Sequence, residues 1–74
     1  MEIKTSANKV VINGNIKSIS DFQNIKTEVD AVAGAHRDIT VEIVDSLSIT
    51  SSVIGYFNKL ILKDGITIHL KSDS

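Results

Sequence analysis

The sequence predicts a small α/β domain: a two-layer sandwich with two helices covering one face of a mostly parallel four-stranded sheet. Three observations carry this. Three segments alternate with period two, placing Val10 and Ile12, then Ile39, Val41 and Ile43, then Ile66, Ile68 and Leu70 on one side of their strands. Between these segments lie two stretches with apolar residues at helical spacing. Alternation in every strand leaves a polar second face holding Thr40, Glu42, Thr67, His69 and Lys71, so only one face is packed. Right-handed crossovers that always step to the next position put both helices on that packed face.

Lys9-Val10-Val11-Ile12-Asn13 reads as a strand ended by Gly14-Asn15, with Glu2-Ile3-Lys4 pairing beside it as a short antiparallel edge, frayed or formed. Ser20-Asp21-Phe22-Gln23 has the capping-box form and opens the first helix. Along that helix Phe22, Ile25, Val29, Val32 and Ala33 share one arc, and Gly34 is suited to a left-handed end. Residues 39–44 alternate cleanly as a strand. Val53 to Lys63 reads as the second helix, Asp64-Gly65 as its stop, and Ile66 to Leu70 as the last strand. This second helix is apolar around about half its wheel, with Leu62 beyond that arc, which exceeds what one sheet covers. Either the loop Leu47 to Ile49 and the first helix take the excess, or another protein does.

Seventy-four residues make a single domain, 1–74, with no room for a second core. There is no cysteine, which excludes a disulfide framework and a thiolate metal site and fits a cytoplasmic location. Neither a membrane span nor a signal peptide is visible, so no membrane partner is expected. Eight basic residues, spread along the chain, face nine acidic ones, and aromatics are scarce. Binding nucleic acid needs a concentrated positive face or stacking platforms, so that partner class is excluded.

Function is sought first in Ile49-Thr50-Ser51-Ser52-Val53-Ile54-Gly55-Tyr56-Phe57, where hydroxyls precede an apolar helix. A helix leaves its first N–H groups unpaired and its N-terminus positive, so a phosphate carried there is stabilised. The simpler role is that Thr50, Ser51 or Ser52 caps the helix, worth roughly 1 kcal/mol. Two histidines, a serine and aspartates do not make an enzyme, because nothing in their spacing brings nucleophile, base and carboxylate together. His36 and His69 are too few for a closed metal site, and no cofactor motif is present. Arg37, the only arginine, is read as a solvated loop charge.

The order of elements and the loop residues together resemble the STAS domain, the family of anti-sigma-factor antagonists and of cytoplasmic domains of sulfate transporters. Val10-Val11-Ile12-Asn13-Gly14-Asn15-Ile16 is similar to the family's strand followed by glycine, and the first helix, the strand at 39–44 and the loop into helix two follow in order. The run Thr50-Ser51-Ser52-Val53-Ile54-Gly55 matches the antagonists' Asp-Ser-Ser-Gly, apolar residue, glycine. Thr50 stands in place of that aspartate and Val53 in place of the first glycine. The resemblance implies that Ser51 is the serine phosphorylated by a partner kinase and that Gly55 is the second glycine. Family members usually continue into a further helix after the strand that ends here at Leu70.

The leading expectation is therefore a small regulatory module of the antagonist type. It would dock a protein partner, an anti-sigma factor or kinase-like regulator, through Thr50, Ser51, Ser52, Gly55 and Tyr56, under control of Ser51 phosphorylation. The alternative is a non-phosphorylated structural or assembly subunit that forms a homo-oligomer through the sheet edge or the second helix.

Overall fold

The computed structural model describes residues 1–45 and 50–72. Its elements are β1 (Glu2–Ser6), β2 (Lys9–Asn13), α1 (Ile19–Ala33), β3 (Asp38–Val44), α2 (Ser51–Leu62) and β4 (Thr67–Ser72). They form one mixed four-stranded sheet in the order β1-β2-β3-β4. β1 and β2 are an antiparallel hairpin, while β3 runs parallel to both β2 and β4. Register aligns the apolar positions: Val10 lies beside Val41, Ile12 beside Ile43, and Ile39 beside Ile68.

Those residues form the floor of a single core, roofed by Ile25, Val29 and Val32 of α1 and by Val53, Tyr56, Phe57 and Leu60 of α2. α1 lies over β1, β2 and β3, α2 lies against β4, and the two helices touch. Both therefore occupy one face. On the other face Thr40 and Glu42 are half-buried, and Thr67 and His69 exposed, with a surface ion pair Lys9–Glu42 at 3.1 Å and His69 Nε2 lying 3.0 Å from the Asp38 carboxylate. No buried polar or charged residue occurs among the described residues, so burial of apolar surface is the main stabilising term.

Local signals settle the ends of the elements. Ser18, not Ser20, caps α1: its hydroxyl accepts from the Asp21 N–H at 3.2 Å, and the Asp21 carboxylate reaches back to the Lys17 N–H at 2.9 Å. Both serines head a run with an acceptor three residues on. The earlier one prevails because a carboxylate at the positive helix end is a stronger acceptor than the Gln23 amide. Gly34 likewise departs from the left-handed end expected of it, with φ −66°. The Val32 carbonyl is met instead by the N–H groups of Ala35 and His36, at 3.1 and 3.0 Å. Gly65, at φ +68°, supplies the left-handed turn from α2 into β4.

The rotation of α2 is fixed by Tyr56. Its ring meets Phe22 of α1 edge-on at 6.2 Å, and its hydroxyl donates to the Asp30 carboxylate and lies 3.2 Å from the Lys26 carbonyl. With that side of α2 turned to α1, Ile54 and Ile61 fall on the opposite flank, above the free edge of β4. Ile54 is 49% exposed, Ile61 43% and Leu70 52%, so the apolar excess of helix two is not absorbed by α1. The loop expected to share in covering it, Leu47 to Ile49, lies outside the described residues.

Candidate functional site

Because β2 and β3 are parallel and each is followed by a helix, the N-termini of α1 and α2 emerge side by side at the carboxyl end of the sheet. This is the end at which open α/β sheets bind ligands. A groove of about 240 Å³ runs between the two helix starts, lined by Ile16, Lys17, Ser18, Ile19, Phe22, Thr50 and Ser52. Among the described residues Lys17 is its only charged side chain, and Ile19 is 76% exposed, so the groove combines apolar wall, hydroxyls and one cation.

Of the three consecutive hydroxyls, Thr50 is the cap. Its backbone is extended, its Oγ1 accepts from the Val53 N–H at 3.3 Å, and its carbonyl accepts from the Ile54 N–H at 3.1 Å. Ser51 and Ser52 are thereby released from the capping role and sit exposed in the first turn. Neither hydroxyl has a hydrogen-bond partner among the described residues. No acidic side chain occupies that turn, which leaves the helix's positive end without a carboxylate of its own. The two serines diverge in direction: Ser52 leans toward α1 and lines the groove, whereas Ser51 shares the outward stripe of α2 with Gly55, one turn on.

Gly55 is exposed, and a Cβ built there meets no atom within 4 Å. No contact among the described residues requires glycine at that position, although glycine in a helix interior is destabilising by about 1 kcal/mol relative to alanine. Tyr56 differs from the expectation that it belongs to this surface. It is only 6% exposed and points into the helix–helix contact, because an apolar arc wide enough to reach α1 draws the ring inward. Burial, and then the bond to the Asp30 carboxylate, raise its phenol well above the ordinary value of 10.0. The sequence reading missed Ile16, Lys17, Ser18 and Ile19. The signal was present in an exposed isoleucine inside a polar cap segment, but the groove exists only once β2 and β3 are parallel neighbours.

A second groove, of about 370 Å³, lies at the opposite end among Asp30, Gly34, Arg37, Leu60 and Asp64. Its polar groups are engaged in holding the fold. Arg37 Nη1 donates to the Asp64 carbonyl at 2.9 Å, Lys59 lies 3.7 Å from the Asp64 carboxylate, and Asp30 receives the Tyr56 hydroxyl. Arg37 is thus an exposed loop residue, as expected, that also clasps the α2–β4 turn. No cluster of three or more metal-ligating side chains occurs among the described residues, and none of their helices is long and apolar enough to cross a membrane.

Comparison of the chain with protein-family models, curated proteins and solved structures gives no match.

Proposed function

We propose that this chain is a STAS-like regulatory module that binds a protein partner through the paired helix N-termini, with Ser51 as the position at which phosphorylation controls docking. The observation that carries the reading is the division of labour among the hydroxyls: Thr50 takes the capping bond, leaving Ser51 exposed at a positive helix end whose first turn holds no acidic side chain. A phosphate on Ser51 would be stabilised by the helix and would add up to about two negative charges to the docking surface. The open space at Gly55 supports the same reading, since a residue that costs helix stability and serves no internal contact suits close approach by another chain. The docking surface comprises Ser51, Ser52 and Gly55 on α2 and Lys17 and Ile19 before and at the start of α1. The partner class is an anti-sigma factor or kinase-like switch protein.

Capture from lysate of the source cell, with mass spectrometry of bait and prey, tests this directly. Ser51→Ala should retain the partner and Ser51→Asp should lose it, while both keep the circular dichroism spectrum of the parent. Gly55→Ala should raise folding stability by about 1 kcal/mol yet weaken capture. Equal capture by all three variants, with no phosphorylated Ser51 in the source cell, would overturn the reading.

A further inference from the structure

We infer that a second copy of this chain pairs with the free edge of β4, extending the sheet across a two-fold axis at His69 and bringing the two α2 flanks together. This surface is separate from the helix N-termini and does not depend on the docking role assigned to them.

The two edges of the sheet are built differently. Both carry polar residues on the open face, Glu2, Lys4 and Ser6 on the five-residue β1 and Thr67, His69 and Lys71 on β4, with Glu2 and Lys4 3.6 Å apart; on the packed face β1 has one apolar residue, Ile3, and then Thr5. The opposed charges of Glu2 and Lys4 and the polar Thr5 on the packed face make β1 the less suitable edge for pairing with another strand. β4 has six residues, and on its packed side Ile68 is half-buried and Leu70 half-exposed. Above them stand Ile54 and Ile61 on the flank of α2 turned away from α1, and Lys59 is the only charged residue in that helix. An apolar strip thus runs from helix to strand beside a row of backbone groups that pair with no other strand among the described residues.

The strip is self-complementary in one register. With antiparallel pairing centred on His69, Ile68 of each copy faces Leu70 of the other, giving two reciprocal apolar pairs that continue the core. Shifting the centre to Leu70 would set Ile68 against Ser72, and shifting it to Ile68 would set Leu70 against Ile66, which lies before the strand. The charges agree with the His69 register. Lys71 then faces Thr67 of the other copy, and Thr67 neighbours Asp38 in the β3–β4 pairing. That places Lys71 about 10 Å, two strand spacings, from an Asp38 backbone, within reach of its carboxylate. Lys71 has no ion pair among the described residues of its own chain. The lateral face is roughly 20 Å long, from six strand residues at about 3.3 Å each, and two layers deep at about 10 Å per layer. This is smaller than the roughly 800 Å² per partner of a standard stable interface, so the dimer is a weak, concentration-dependent one.

Sedimentation velocity over a range of concentrations, on the whole chain, should show a monomer–dimer equilibrium. Leu70→Lys and Ile54→Asp should each raise the dissociation constant by about ten-fold or more, by putting a charge into a desolvated patch. Leu62→Lys, on the outer face of the same helix at a more exposed residue, should leave it unchanged. Orientation is tested by cross-linking, which the absence of native cysteine makes clean. Oxidised His69→Cys should give a disulfide-linked dimer, since facing residues of an antiparallel pair lie about 4.5–5.5 Å apart, inside disulfide range. Lys4→Cys, on the other edge, should remain monomeric. A chain that stays monomeric at millimolar concentration, a dimer indifferent to both Leu70→Lys and Ile54→Asp, or cross-linking of Lys4→Cys in preference to His69→Cys would each overturn the proposal.

Discussion

Tyr56 shows how one side chain sets the orientation of an element. Its hydroxyl requires a partner when buried, and the Asp30 carboxylate and Lys26 carbonyl on α1 lie within its reach. The result is a phenol whose ionisation is opposed first by burial and then by a carboxylate acceptor. A pKa raised in the folded state means that the stabilisation is fully present below the unfolded value of 10.0 and is lost as pH climbs beyond it. Tyr56 is the only tyrosine, so its absorbance reports this site alone. Alkaline titration should show no phenolate signal near pH 10 to 11 while the chain stays folded, and its appearance should coincide with loss of the circular dichroism signal. Titration near 10 in the folded protein would mean that the hydroxyl is solvated.

At the scale of elements, α1 depends on a short exchange at its start. The Lys17 N–H bonded to its carboxylate, more than any other contact, holds Asp21 below the ordinary value of 3.8. A depressed carboxyl contributes stability above the unfolded pKa and loses it as pH falls through the folded one, so the effect disappears in acid below about 3.8. Urea midpoints at pH 7 and pH 2.5 should therefore differ less in Asp21→Asn than in the parent, and Asp21→Asn should be the less stable of the two at pH 7.

The elements also show what a sequence makes legible. β3 was readable because Ile39, Val41 and Ile43 alternate without interruption and all three are buried. The phase of helix two was readable from Val53, Phe57 and Leu60. The start of α1 was not, because Ser18-Ile19-Ser20-Asp21 and Ser20-Asp21-Phe22-Gln23 both have the form of a cap, and charge decides between them. β1 runs to Ser6, two residues past the expected Lys4, through a two-residue turn in which Ala7 takes φ +51°. No glycine marks that turn, so pattern alone passes over it. Of the candidate site, the hydroxyls were legible from composition, but Lys17 and Ile19 join them only through the β2–β3 pairing, a relation between residues some thirty apart.

At the scale of the whole molecule, the described residues share one core. Phe57 is 5% exposed between the helices and the sheet, and truncating it to alanine should cost about 3–5 kcal/mol. For 74 residues at about 0.05–0.15 kcal/mol each, that is much or all of the folding free energy. Chemical denaturation should show a midpoint far below that of the parent, or no folded baseline; a curve superimposable on the parent would place Phe57 outside the core.

The strand order β1-β2-β3-β4 is also the order of synthesis. Each strand completes its pairing with the one made just before it, so a growing chain can add to a sheet already begun and never has to insert between two formed strands. With no proline in the sequence, no slow isomerisation interrupts that growth. Among the described strands β4 is the last to be made, so its outer edge, which no earlier strand can occupy, is still open when its pairing with β3 is complete.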